Sequence, residues 1–311
     1  MLLDLSAIVR KPPAMRFLLL LLAVAACEPF DVCDVIVETP LPQQLSATGI
    51  DDPDVRPYTP SFALWSDGAE KRRWLYLPPG AVIDTTDPDE WQFPIGTKAW
   101  KEFTRDGVRV ETRLFQRLDD GWAGVAYAWA ADQRDAYALP AGDANANGTP
   151  HDIPSAGDCE GCHGGRHSHL LGVSAIQLAH APAPGELALD ELVSGGRLSG
   201  PPPTPLVPGE PAVRTALGYL HANCSHCHNQ TRPARTGARC YDPDNDLDFA
   251  LRLDALSSPE DTAASRTAKD HHERMLELMG RRGSDLHMPP LATEQVDAEG
   301  LATVRTWIGT L

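Results

Sequence analysis

The fold turns on the stretch Val108-Arg109-Val110-Glu111-Thr112-Arg113-Leu114-Phe115, followed across Asp119-Asp120-Gly121 by Trp122-Ala123-Gly124-Val125-Ala126-Tyr127-Ala128-Trp129. β-branched and aromatic residues run through both halves, and Asp-Gly between them is turn chemistry, so the pair predicts a β-hairpin. The same reading extends upstream. Arg73-Trp74-Leu75-Tyr76-Leu77 is a short apolar run stopped by Pro78-Pro79-Gly80, and Asp106-Gly107 marks another turn. The region from about Leu45 to Pro140 is therefore expected to be β-rich, with its aromatic side chains in the core.

Downstream the chain carries Cys159-Glu160-Gly161-Cys162-His163 and Cys224-Ser225-His226-Cys227-His228. Cys-x-x-Cys-His is the attachment motif of c-type haem: each thiol adds across one vinyl group, and the adjoining His is held where its imidazole reaches the iron. Both copies predict two covalently attached haem c groups, on Cys159, Cys162, Cys224 and Cys227, with His163 and His228 as iron ligands. A four-Cys zinc site and a dithiol redox pair share the cysteine spacing. Zinc does not require the immediate His, and the run between the copies exceeds the usual gap of about 15–20 residues. A dithiol pair of thioredoxin type belongs in a βαβ setting, which neither copy has.

Met288, in His287-Met288-Pro289-Pro290-Leu291, is the expected sixth ligand of the second haem. A thioether is a soft, neutral ligand that raises the potential, and the two prolines stiffen its loop. The first haem has no such partner. His167, His169 and His180 are the nearby candidates, and Met275 or Met279 would have to reach in from further along the chain. Asp143-x-Asn145-x-Asn147-Gly148 matches the first half of an EF-hand loop. Pro154 stands where the bidentate Glu belongs, so a polar turn is expected in preference to calcium. Asp242, Asp244, Asp246 and Asp248 form a weaker acidic run.

At the start of the chain Arg10, Lys11 and Arg16 precede an apolar run, Phe17 to Ala26, too short to anchor in a bilayer, and Val24-Ala25-Ala26-Cys27 resembles a lipoprotein cleavage box. The expectation is an exported protein, periplasmic or outer-membrane, lipidated at Cys27 and so tethered to the membrane; Met15 is an alternative start to Met1. Cys33 and Cys240 are left over, and an oxidising compartment would allow them to pair. The net charge of −16 disfavours nucleic-acid binding and suits solubility or a basic redox partner.

The predicted organisation is a signal at 1–26, a tether at 27–44, a β-rich domain at 45–158 and a first haem-binding segment at 159–198. A Pro-rich linker at 199–211 and a cytochrome c-like domain at 212–311 follow. Helices are expected at Leu170–Leu178 and Asp190–Leu198, from Ala212 into Asn223, at His271–Gly280, and after a cap at Asp297. Gly218 is expected to receive Trp307 where the first and last helices of that domain cross. The fold class is thus α+β multidomain, a β-rich domain followed by an all-α cytochrome c-like domain.

Several phrases together carry a resemblance. They are Leu64-Trp65-Ser66-Asp67-Gly68, Phe93-Pro94-Ile95-Gly96-Thr97-Lys98-Ala99-Trp100, Glu111-Thr112-Arg113-Leu114, His151-Asp152-Ile153-Pro154-Ser155, both haem motifs, Met288-Pro289-Pro290-Leu291 and Trp307-Ile308. From about Leu45 to Leu311 the chain resembles a family of secreted bacterial di-haem c-type cytochromes with a β-rich N-terminal region. The resemblance implies haem binding and electron transfer, with His163, His228 and Met288 at the family's motif positions; it implies no substrate. The expected function is electron transfer in the cell envelope with a redox partner protein. A peroxidase-like enzyme using a five-coordinate first haem, and a sensing module in which haem reports ligand binding, are the alternatives.

Overall fold

Six strands form where the chain alternates apolar and polar residues between turns. In the computed structural model, which describes residues 38–203, 205–233, 246–283 and 286–311, they are β1 Arg56–Pro57, β2 Glu70–Tyr76, β3 Lys98–Arg105, β4 Val108–Leu118, β5 Gly121–Trp129 and β6 Ala136–Ala138. They pair antiparallel in chain order, as one meander. The hairpin predicted from sequence is β4 and β5, with Leu118 opposite Gly121 across Asp119-Asp120. The β3–β4 turn is Asp106-Gly107, both at positive φ (50° and 79°), the backbone that a twisted two-residue hairpin demands.

Alternation gives the sheet two different faces. Trp100, Leu114, Val125 and Tyr127 point to one side and bury Leu41 and Leu45. Leu75, Ala99 and Phe115 point to the other, under a cover that includes Leu170, Val173, Leu178 and Leu189. At roughly 1.5–3 kcal/mol for each large side chain taken out of water, this second contact clamps the segment after residue 155 onto the sheet. It is the face that carries the site.

The helices are short. They are α1 Ala156–His163, α2 Ala175–Leu178, α3 Leu189–Ser194, α4 Pro211–Asn223, α5 Ala263–Met279 and α6 Ala298–Ile308. α4 opens on Pro211, whose fixed φ suits the first helical position. α6 starts as expected, the Asp297 carboxylate accepting from Gly300 N at 2.8 Å. α5 begins eight residues before the predicted His271, capped by Thr262, whose hydroxyl accepts from Ser265 N.

The expected fold class, a β-rich domain followed by an all-α cytochrome c-like domain, is overturned. The described residues form one unit built on the antiparallel sheet; among them 27 % are helix and 18 % strand, and no all-α cytochrome c-like domain is evident. The reason is packing. α4, α5 and α6 do not close a core of their own, because Ile176 is part of it and Phe62 packs against it. Trp65 N donates to the Asn223 side chain at 2.7 Å, and the Asp67 carboxylate accepts from Glu294 N and Gln295 N at 2.7 and 3.1 Å. Gly218, expected to receive Trp307, has the ring of Phe62 as its nearest neighbour. A Cβ on Gly218 would strike the ring of Phe62, while Gly300 on α6 is the residue that accommodates a ring, Tyr219 of α4.

Candidate functional site

The first Cys-x-x-Cys-His segment is helical. Ser155 caps α1 by accepting from Asp158 N at 3.1 Å, and the Asp158 carboxylate accepts from Ser155 N at 2.9 Å, a complete capping box. Cys159 and Cys162, three apart on one helix, then share a face, and His163 is the last helical residue. Gly124 on β5 makes room for this helix: a Cβ there would lie 3.8 Å from that of Cys159 and would collide with Phe115.

His163 is fixed from both sides. Its Nδ1 lies 2.6 Å from the carbonyl oxygen of His169, so it is the protonated nitrogen, and its ring packs on Phe115 with centroids 4.1 Å apart. Phe115 in turn stacks on Trp122 at 5.0 Å. A histidine that donates through Nδ1 presents a neutral Nε2 lone pair, the arrangement of a metal ligand whose tautomer is set by a backbone carbonyl. Burial holds the ring neutral, its pKa lowered to about 3. Burial also pushes the Cys159 thiol up to about 12.

Cys159, Cys162 and His163 line a cavity of about 1260 Å³, measured out to its open mouth, between the sheet and the segments that cover it. Its apolar wall includes Phe62, Phe115, Leu170 and Leu171, and its polar wall includes Arg73, Lys101, Arg113, His151 and the carboxylate of Asp158. Glu111, fully buried, accepts from Arg113 at 2.5 and 2.9 Å and pairs with His151 Nε2 at 2.8 Å. Burial alone would raise the Glu111 carboxyl, but Arg113 and His151 outweigh it and hold the pKa below the usual range.

The second motif follows the end of α4. Cys224 is the capping residue, and the chain continues in tight turns, Cys227 N and His228 N both donating to Cys224 O at 3.2 and 2.8 Å. The His228 ring meets Phe249 edge-on at 5.8 Å. Cys224, Cys227, His228 and Met288 line one cavity of about 810 Å³, which Met275, Met279, Pro289 and Pro290 complete. Burial raises the Cys224 thiol to about 12.

The two motifs, far apart in sequence, touch. The Cys162 and Cys227 sulfurs are close enough to interact, which raises the pKa of the first and lowers that of the second. The ligand atoms of Cys162, His226 and Cys227 lie within 4.8 Å of one another. Asn229 Nδ2 donates to Gly165 O at 3.1 Å, and a Cβ on Gly165 would overlap the carbonyl oxygen of His226. Glycine at 165 is what lets the two backbones meet.

Of the candidates for a sixth ligand at the first site, none is among the described residues that line its cavity. His169 gives its carbonyl to His163, His180 Nδ1 lies 3.1 Å from the Ser61 hydroxyl, and Met275 and Met279 belong to the second cavity. Asp143 to Gly148 form the expected polar turn, Asn145 and Asn147 both at positive φ, with Asn145 N donating to Asp152 at 2.9 Å. Asp248 binds Ala250 N and Arg252. Cys27, Cys33, Cys240, Asp242 and Asp244 lie outside the described residues.

Sequence reading missed Arg73, Lys101, Glu111 and Arg113 as site residues. Their alternation with apolar neighbours reads as an ordinary solvent-facing strand pattern, and only the cover laid over this face makes them interior. His226 carried a signal, being a ligand-type side chain inside the second motif. Compared with known proteins, the chain matches no protein-family model, no curated protein and no solved structure.

Proposed function

We propose that this chain is a di-haem c-type cytochrome that carries electrons in the cell envelope, passing them between two covalently bound haems and a redox partner protein. The observation that carries the reading is the meeting of the two Cys-x-x-Cys-His segments at Cys162 and Cys227, each beside its own cavity. Independent cofactors have no need of adjacency; a relay does, because electron exchange requires short separation. The residues fit the group. Each cavity offers two thiols, a buried histidine and an apolar wall, and the His163 Nε2 is left free by the bond from Nδ1 to His169 O.

Haem, when bound, supplies one-electron chemistry at iron. The protein's part is placement. α1 presents Cys159 and Cys162 on one face, and Phe115 and the His169 carbonyl fix the plane and tautomer of His163. Cys224, Cys227 and His228 do the same below α4, and Met288 is the proposed sixth ligand there, lining the same cavity as His228. Export, lipidation at Cys27 and the resemblance to secreted di-haem cytochromes belong to this proposal. Among the described residues no helix is long and apolar enough to cross a membrane.

One observation favours a second reading. Cys162, His226 and Cys227 offer a thiolate-imidazole-thiolate group of the kind that holds zinc. The two readings compete for the same sulfurs. Mass spectrometry of the denatured protein, expressed with haem-attachment machinery, decides between them. Two covalent haems are expected, and a haem-free polypeptide that retains zinc before denaturation would replace this proposal with the metal site. In the loaded protein Met288→Ala is expected to abolish a far-red thioether-to-iron band and to lower one potential; an unchanged spectrum would remove Met288 from the ligand set.

A further inference from the structure

The register of the sheet sets three cations side by side. Arg73 on β2 is directly opposite Lys101 on β3, and Lys101 is directly opposite Arg113 on β4. All three line the cavity of Cys159, Cys162 and His163. Like charges directly opposed across strands are unfavourable even on a wet surface, and more so where water is sparse. Arg113 has its carboxylate, Glu111. The others are bonded to none among the described residues, and the Asp158 carboxylate that also lines the cavity is held by Ser155. Among the described residues the Arg73 guanidinium makes no hydrogen bond or ion pair although the residue is 8 % exposed. The Lys101 ammonium has, among the described residues, only the ring of Phe103, 4.8 Å to the centroid. Lys71, next along the same face of β2, gives its ammonium to Leu64 O and brings no negative charge.

Two cations without a bonded carboxylate, lining one cavity, call for an anion there. The rest of the cavity describes its carrier. Beside the cations stand two thiols, a neutral imidazole and an aromatic wall, so the occupant combines a flat apolar body with acidic groups. We propose that Arg73 and Lys101, in one row with the Glu111-paired Arg113, receive the carboxylates of the haem attached at Cys159 and Cys162, its two propionates. This inference rests on the haem reading of the site and adds to it the orientation of the first haem, acidic edge toward β2 and β3. Burial, the largest influence on both, pulls the Arg73 and Lys101 pKa values down, and at Lys101 the neighbouring cations add to it while Glu111 opposes it. A diffusible carboxylate or other small anion entering the open mouth has the same chemistry, and the experiment separates the two sources.

The test uses the loaded full-length protein and the variants Arg73→Gln, Lys101→Met and Arg73→Lys. Covalent haem is counted by mass, and the two midpoint potentials are read by spectroelectrochemical titration. Unaltered protein carrying no haem on the peptide of Cys159 and Cys162 sinks the haem reading itself, separately from this inference. With two haems retained, Arg73→Gln and Lys101→Met are each expected to lower one potential and leave the other in place, because a cation near the porphyrin favours the reduced form. Arg73→Lys is expected to restore most of the shift. Both potentials unmoved in both charge-removing variants would overturn the assignment. So would a Soret shift on adding nitrite or acetate that these variants abolish without moving either potential, since the cations would then serve a diffusible anion. If Arg73→Gln does not fold, Lys101→Met and the conservative Arg73→Lys still decide.

Discussion

Around His163 the wall is a sheet face: a cationic row backed by the buried Glu111, and Phe115 backed by the stacked ring of Trp122. Around His228 it is helix and loop, made of Met275, Met279, Met288, Phe249 and two prolines. The chemistry of the two five-residue segments is the same, so their surroundings alone distinguish them. On the proposed haem reading, positive charge beside the first would favour adding an electron, and a Met288 thioether at the second would do the same by a different route. Neighbouring centres tuned by different means can be adjusted separately.

The comparison breaks most visibly at Glu111. Glu111→Ala leaves Arg113 and His151 facing the cavity without their carboxylate. The cost is expected near the lower end of the ~3–5 kcal/mol typical of breaking a buried pair, because Arg113 keeps 26 % of its side-chain surface accessible. Denaturant unfolding measures it, and a loss under ~1 kcal/mol would mean the cationic face is stable without its one anion. Gly165→Ala probes the join between the regions. The added methyl meets the His226 carbonyl oxygen, so a loss of about 1–3 kcal/mol is expected, with weaker coupling between the two centres in redox titration. Unchanged stability and coupling would show that the motifs do not depend on this contact.

The smallest effect is on pH dependence in the second region. His221 Nδ1 accepts from Leu251 N at 3.1 Å, and burial first, with nearby cations adding, lowers its pKa from 6.5 to about 3. Between those values the unfolded chain binds a proton that the folded chain refuses, so this histidine's contribution to stability falls as pH drops from 6.5 toward 3. Asp89, raised by burial to about 6, gives the opposite slope between 3.8 and 6. The informative quantity is therefore the difference between the parent and His221→Gln, whose side-chain oxygen can still accept from Leu251 N. A flatter acid limb is expected in the variant, and identical limbs would refute the assignment.

Legibility followed the range of the interactions. The β4–β5 hairpin was readable because alternation and an Asp-Asp-Gly turn are local, and so was the start of α6 at Asp297. The two Cys-x-x-Cys-His segments stood out because their spacing is local, and the proposal of haem at them rests on that spacing. The all-α domain was misread. Helical periodicity at 212–311 says that helices form but not what they pack against, and here Phe62 and Asp67 from far upstream take part. Trp307 is buried as an aromatic near a helix crossing should be, yet the residue that yields to a ring is Gly300, since the crossing point depends on helix placement.

By itself, the sequence determined the candidate ligands Cys159, Cys162, His163, Cys224, Cys227, His228 and Met288, and the hairpin that anchors the sheet, because each rests on residues a few positions apart. Only the tertiary structure decided that Cys162 meets Cys227, and that Arg73, Lys101 and Arg113 form one row over the first cavity. The physical reason is that register and close packing join segments separated by long stretches of chain. A strand's polar face becomes a binding wall only when another part of the molecule covers it.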